Sequence, residues 1–227
     1  MEKSIFLNKA NIVVSAFDEL SLDTICKINS QNIFDVVEIR LDQLIQENEL
    51  KTKISSITKP LLLTCRHPKE GGDNNISEPL KRVSIIEPLL SHTSAIDIEI
   101  STANEMKNLI TEAKSKNIQV VLSYHNFETT PNLAELKTIA TEAKDKGADI
   151  IKIATTTNTK QELITLLTLS ENGSIENLSF MGMGKFGMSS RLVAAQSGSV
   201  LNYSAIAETS IEGQWHLAAY REALKLN

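Results

Sequence analysis

The chain has 227 residues, 41% of them hydrophobic and 22% charged, with a net charge of -5. That balance suits one large α/β domain and excludes a disordered or disulfide-stapled chain, and the charge, spread without blocks, argues against nucleic acid or an anionic membrane as partner. Cys26 and Cys65 form no Cys-x-x-Cys pair, residues 1–19 hold no apolar run of signal-peptide length, and no segment approaches a membrane span, so a cytoplasmic protein with reduced thiols is expected.

Short apolar runs of strand length, rich in Val, Ile and Leu, occupy 11–16, 35–40, 60–66, 95–100, 119–125, 149–155, 177–183 and 199–205. Helical patterns lie between them, among them 104–117, 132–147 and 159–173, and a last helix is expected near 214–226. The helix at 132–147 has Pro131 at its start and Gly147 at its end, the usual placement of both residues. Strands alternating with helices imply parallel βαβ units. The runs recur about every 27 residues, which suits an eight-stranded (β/α)8 TIM barrel, a fold of roughly 200 residues or more. No linker or composition shift divides the chain, so residues 1–227 are expected to form a single catalytic barrel domain, with residues 1–10 as a short N-terminal extension at its bottom.

Side chains alternate across a strand. In the second run Val37, Ile39 and Leu41 share one face and Glu38 and Arg40 the other; in the third Leu61, Leu63 and Cys65 oppose Thr64 and Arg66. In the fourth Ile96, Ile98 and Ile100 oppose Asp97 and Glu99; in the fifth Val120 and Leu122 oppose Ser123 and His125; in the sixth Ile151 and Ile153 oppose Lys152. The apolar face must meet the helices, so the polar face looks into the barrel. Glu38, Arg40, Arg66, Asp97, Glu99, His125 and Lys152 should then surround one cavity near the C-terminal ends of the strands, where barrel active sites are built. Interior charges are costly unless they pair or do chemistry. Each residue also has a plainer reading: an ion-pair network for the carboxylates and arginines, a hydrogen-bonded core histidine for His125, a carboxylate-paired amine for Lys152. A lysine amine among apolar neighbours is also a nucleophile toward a ketone.

The segment Gly182-Met183-Gly184-Lys185-Phe186-Gly187 fits GxGxxG, follows a strand, and has Glu208 about 20 residues on. It stands at the seventh run with one strand left, whereas a dinucleotide fold needs several strands beyond its fingerprint. Close backbone approach or a hinge is the preferred reading of these glycines.

The runs Glu38-Ile39-Arg40-Leu41-Asp42, Arg66-His67-Pro68-Lys69-Glu70-Gly71-Gly72, Ser123-Tyr124-His125-Asn126-Phe127, Lys152-Ile153-Ala154, Ser190-Arg191-Leu192 and Ser210-Ile211-Glu212-Gly213-Gln214 resemble, in order and spacing, the type I 3-dehydroquinate dehydratases. The resemblance spans residues 12–214. It implies a lyase of the shikimate pathway that dehydrates 3-dehydroquinate to 3-dehydroshikimate, with Lys152 as Schiff-base lysine, His125 as general acid/base and Glu70 orienting His125. Glu38, Arg40 and Arg66 would hold substrate hydroxyls, Arg191 the substrate carboxylate, and Ser210 and Gln214 would close over it. Ser15, Phe127, Met181, Met183 and Tyr203 would line the pocket. No metal, nicotinamide or pyridoxal cofactor is implied, and the protein would be a homodimer. Two departures stand out. Ile211 and Glu212 replace an Ala-Pro pair in the last loop, and Tyr203 stands where Phe is expected. A class I aldolase, a nucleotide-binding oxidoreductase and a non-catalytic carboxylate-binding barrel remain as rival readings of the residues alone.

Overall fold

Alternating Val, Ile and Leu drive the first strand, β1 (Asn11–Ala16), and recur in β2 (Val36–Arg40), β3 (Leu61–Thr64), β4 (Ala95–Glu99), β5 (Gln119–Asn126), β6 (Ile150–Thr156), β7 (Leu178–Met183) and β8 (Leu201–Ala205). The computed structural model describes residues 4–5, 7–46, 49–173, 175–206 and 211–225. Pairing is parallel throughout, in the order β7-β6-β5-β4-β3-β2-β1-β8-β9, the last being the two-residue strand Trp215–His216. The curled sheet is that of a TIM barrel. Its seam lies between β7 and β8, where Val200 N–H donates to Leu178 O at 3.0 Å and Ser179 Oγ donates to Leu201 O at 2.8 Å.

The principal helices are α1 (Glu19–Ile28), α2 (Leu41–Leu44), α3 (Leu50–Ser56), α4 (Pro79–Ile86), α5 (Lys107–Ser115), α6 (Leu133–Asp145), α7 (Lys160–Thr168), α8 (Gly187–Gln196) and α9 (Leu217–Lys225). Local chemistry sets their starts. Asn132 and Glu135 form a reciprocal capping box on α6, as Thr159 and Glu162 do on α7, each satisfying two orphan N–H groups. Three helices are shorter than the periodicity predicts. The pattern at 104–117 yields Lys107–Ser115, because Ile100–Thr102 is already a 3-10 turn; that at 159–173 stops at Thr168, with a separate 3-10 turn at Glu171–Gly173.

The third shortening corrects the strand count. The expected last helix gives up its start to a ninth strand, β9 (Trp215–His216), paired with Ser204 and Ala205 of β8. Since β8 bonds β1 along one edge, β9 takes the edge facing β7. Trp215 stacks on Tyr220 at 5.8 Å and donates Nε1–H to Met188 O at 2.8 Å, so its anchoring outweighs the helical pattern.

Two apolar layers result. The larger, between strands and helices, holds the residues of the apolar strand face, including Val37, Ile39, Leu63, Ile96, Ile98, Val120, Leu122, Ile151 and Ile153. The smaller fills the barrel interior with Val13, Val36, Leu62, Ala95, Val121, Ile150 and Leu201. Most of these start their strands, so this plug lies at the N-terminal end. Ile5 joins the plug, its N–H held by Gln119 Oε1 at 2.9 Å, which puts the N-terminal extension at that end. The plug leaves the opposite end of the interior to polar side chains. Among the described residues no helix is long and apolar enough to cross a membrane.

Candidate active site

Above the plug, successive strands place their polar residues side by side. Register pairs Ser15 with Glu38, Arg40 with Thr64, Thr64 with Asp97, Glu99 with Ser123, and Ser123 with Lys152. Each pair lies on adjacent strands of one face, so the contacts follow from the fold. Glu38 Oε2 accepts from Ser15 Oγ at 2.7 Å, and Glu38 Oε1 from Thr64 Oγ1 at 2.8 Å and Tyr203 Oη at 3.3 Å. Lys152 Nζ donates to Asp97 Oδ2 at 3.0 Å, lies 3.8 Å from Glu38 Oε1, and sits 4.5 Å from the centre of the Tyr203 ring. Arg66 bridges the two acids of β4, with Nη2 2.9 Å from Asp97 Oδ2 and Nη1 2.8 Å from Glu99 Oε1. Behind Glu99 stands Arg82 of α4, fully buried, which ion-pairs Glu99 and also donates to Cys65 O and Thr102 Oγ1.

The loop after β3 delivers Glu70. Pro68 opens a one-turn 3-10 helix, the His67 side chain caps it, Gly71 ends it in the left-handed region, and at Gly72 a Cβ would sit 1.9 Å from Arg66 O. Glu70 Oε2 then meets His125 Nδ1 at 2.9 Å, while Ser101 Oγ donates to Glu70 Oε1 at 3.1 Å. Arg40 chelates Asp42 through Nε and Nη2 at 3.0 and 2.9 Å and donates to Gly71 O, so it ties this loop to the end of β2. Phe127 stacks on His125 with ring centres 6.4 Å apart.

These side chains surround a cavity of about 280 Å³. Ser15, Glu38, Arg40, Arg66, Glu70, His125, Phe127, Lys152, Met181, Met183, Arg191, Tyr203 and Gln214 all line it. Ser210 and Glu208 lie outside the described residues. Phe17, Gln43, Ala154, Ile206 and Ile211 line the cavity too, though no motif singles them out. Asp97 and Glu99 stand behind its wall; strand parity finds both, whereas resemblance assigns them nothing. Arg82 sits on a helix outside the barrel, and nothing in its local pattern announces an interior ion pair.

Arg191 differs from the other buried cations. It is 4% exposed, and its Nε and Nη1 donate to the carbonyls of Gly182 and Tyr203, yet among the described residues no carboxylate lies within ion-pair distance. Burial pulls its guanidinium down to about 10. A buried cation held by carbonyls alone keeps the capacity to pair with an anion that enters the cavity.

The electrostatics divide the acids into two kinds. Burial alone would push the Asp97 carboxyl up, but Arg66 and then Lys152 hold it well below the usual carboxylate range. Burial and then Glu99 push Glu70 up to about 7. Burial, then Arg66 and Lys152, hold the His125 imidazole well below its usual value. Asp97 therefore stays ionised, whereas Glu70 is placed to exchange a proton with His125 near neutral pH.

The glycine-rich segment after β7 has a packing task. Gly184 N–H donates to Glu212 O at 2.9 Å, and a Cβ on Gly213 would stand 2.7 Å from Gly187 Cα and 2.5 Å from Gly184 O. The glycines let the last loop, with Ile211 and Gln214, dock against the start of α8, which carries Arg191.

Residues 12–227 match the family model for type I 3-dehydroquinase. A 3-dehydroquinate dehydratase from Thermodesulfovibrio yellowstonii is 35% identical over 188 residues, 81% of each chain. The crystal structure of the Aquifex aeolicus 3-dehydroquinate dehydratase superposes with a TM-score of 0.79 at 28% identity, covering 95% of this chain and 98% of that one. The Clostridium difficile type I enzyme, at 23% identity, shares the fold with a TM-score of 0.86 over 100% of this chain and 98% of its own.

Proposed function

The chain belongs to the type I 3-dehydroquinase family, and from that premise we propose that it dehydrates 3-dehydroquinate to 3-dehydroshikimate, a step of the shikimate pathway, through an imine between the substrate ketone and Lys152. The observation that carries the reading is the grouping of Lys152, the Glu70–His125 pair and the carboxylate-free cation Arg191 on one cavity. A nucleophile, a proton carrier and an anion receptor are the three parts that the reaction needs.

Arg191 binds the substrate carboxylate and so fixes which face of the ring meets His125. Glu38, Arg40 and Arg66 hold the ring hydroxyls, with Ser210 and Gln214 over the carboxylate. The Lys152 amine adds to the C3 carbonyl, and the adduct loses the carbonyl oxygen as water to give an iminium. The iminium accepts the electron pair of the C2–H bond, and His125, its ring neutral and its Nδ1 held by Glu70, takes that proton. His125 then returns a proton to the C1 hydroxyl, which leaves as water and creates the C1–C2 double bond. Hydrolysis of the imine consumes the water released when it formed, so one water is lost overall. Each such proton transfer is worth about 10²–10⁴ in rate.

One β/α-barrel domain over residues 1–227 accounts for this chemistry without metal or organic cofactor. Family resemblance adds a cytoplasmic homodimer, which light scattering on the purified protein tests. The chemical test is to add 3-dehydroquinate with borohydride and take intact and peptide masses. A reduced adduct on Lys152 supports the imine. With active reagents, an unmodified Lys152 overturns it. His125→Ala should slow imine formation and hydrolysis alike and let adduct accumulate.

A further inference from the structure

We propose that Asp97 is the fixed counter-charge for the cationic carbon–nitrogen bond formed on Lys152, held in that role by Arg66 in the cavity wall and by Ser123, Glu99 and Arg82 behind it. The proposal rests on the Schiff-base reading above.

Geometry separates Asp97 from the other carboxylate near the amine. Glu38 lies 3.8 Å from Lys152 Nζ, lines the cavity and faces incoming substrate. Asp97 lies closer, at 3.0 Å, is fully buried, and is absent from the cavity lining. It is also immobilised. Its Oδ1 accepts from Ser123 Oγ at 2.6 Å, and its Oδ2 takes Arg66 Nη2 at 2.9 Å as well as Lys152. Arg66 is fixed in turn by Glu99, and Glu99 by Arg82. The chain of ion pairs thus runs from α4, outside the barrel, to the reacting nitrogen.

Charge counting gives this arrangement its purpose. Three carboxylates, Glu38, Asp97 and Glu99, face three cations, Lys152, Arg66 and Arg82. The set is neutral when Lys152 Nζ carries one positive charge. Ammonium plus ketone gives iminium plus water, so the nitrogen carries one positive charge before the step and after it. Between the two lies the neutral carbinolamine; protonation and loss of its hydroxyl as water rebuild the positive charge on nitrogen beside Asp97, and a preorganised counter-charge accelerates that step. An aspartate with two occupied oxygens cannot turn away when the nitrogen changes its bonds.

The decisive variant is Asp97→Asn, nearly the same in shape and without the charge. Three quantities are read: affinity for the C3 alcohol that corresponds to the substrate, which keeps the carboxylate and ring hydroxyls but has no ketone; the rate of borohydride-trapped adduct on Lys152; and kcat. The expectation is alcohol affinity within about 3-fold of the parent, with trapping and kcat each down by about 10-fold or more, the scale of a lost preorganised charge. A packing role alone would lower the thermal midpoint and leave trapping per bound enzyme unchanged; that result overturns the proposal. If Asp97→Asn fails to fold, Ser123→Ala keeps the carboxylate and removes its Oδ1 donor. Trapping should then slow by about 3- to 10-fold at unchanged alcohol affinity, and unchanged trapping overturns the proposal. No adduct on Lys152 of the parent protein defeats the Schiff-base reading, and this one with it. Adduct in the parent with equal trapping in Asp97→Asn defeats this one alone.

Discussion

A single carboxyl oxygen, Glu70 Oε2, holds both nitrogens of His125: it accepts from the backbone N–H at 3.0 Å and lies 2.9 Å from the ring Nδ1. The carboxyl therefore sets the ring's position and its protonation together. Burial raises Glu70 to about 7 from 4.5 and takes His125 well below 6.5. Between these ordinary values the unfolded chain holds its one proton on the histidine, and both shifts move that proton towards the carboxyl on folding.

Where the folded and unfolded states each hold that one proton, the pair adds no slope to stability. Single variants should uncover opposite slopes. His125→Ala leaves Glu70, whose raised value gives stability fully present below pH 4.5 and lost as pH rises through about 7. At most about 3 kcal/mol disappears, from 1.36 kcal/mol per unit. Glu70→Gln leaves His125, whose depressed value gives stability present above pH 6.5 and lost as pH falls. Urea unfolding at several pH values checks both signs; slopes of the same sign in the two variants would refute the shared proton.

Arg191 should show function traded against stability. Burial lowers its guanidinium to about 10, and among the described residues it has no carboxylate to offset that cost. Arg191→Met should raise KM by about 100-fold, the equivalent of one strong charge-assisted contact. The thermal midpoint should hold or rise, since a buried unpaired cation is replaced by an apolar chain of similar reach. Steady-state kinetics and calorimetry test the pair of effects. A lower midpoint with unchanged KM would make Arg191 a structural residue.

The barrel was legible because Val37 and Ile39, Ile96, Ile98 and Ile100, and Ile151 and Ile153 alternate with Glu38, Asp97, Glu99 and Lys152 along their strands. The same alternation put Glu38, Asp97, Glu99 and Lys152 in the interior before any resemblance was invoked. It could not find Arg82, because a charged residue in an amphipathic helix reads as solvent-facing until the partner strand is known. Nor could it find β9: two residues are too few to show a period, and Trp215 is held by a tertiary hydrogen bond. The glycines at 182–187 fit a nucleotide fingerprint, but they serve close packing: Gly182 against Thr157 and Ser190, Gly184 against Asn158, and Gly187 as the docking surface for Gly213. Ile206 and Ile211 reach the cavity from loops, where no periodicity operates.

That docking surface yields a test of the last loop. Gly213 has φ +79, and a Cβ there would meet Gly184 O at 2.5 Å and Gly187 Cα at 2.7 Å. Both the backbone angle and the space forbid a side chain. Gly213→Ala should displace the loop carrying Gln214 and raise KM by roughly 10-fold or more, as expected for a misplaced substrate-positioning group. Adduct formation at saturating substrate should persist, because Lys152 and His125 lie on β6 and β5. Loss of trapping at saturation would show that the loop also orders the reacting groups.

Tyr203 separates the ring from the hydroxyl at one position. Its ring packs 4.5 Å from Lys152 Nζ, and its hydroxyl donates to Glu38 Oε1 at 3.3 Å. Glu38 keeps two closer donors, Ser15 and Thr64, so the phenol is the weakest of three. Tyr203→Phe keeps the ring and should cost about 1 kcal/mol of stability, one modest hydrogen bond, with kcat within about 3-fold of the parent. Tyr203→Ala removes a buried aromatic beside the plug and should cost about 3–5 kcal/mol. Denaturant unfolding and initial rates on both variants measure the difference. A fall in kcat of about 30-fold or more in Tyr203→Phe, roughly 2 kcal/mol in the barrier, would move the hydroxyl from supporting Glu38 to taking part in proton transfer.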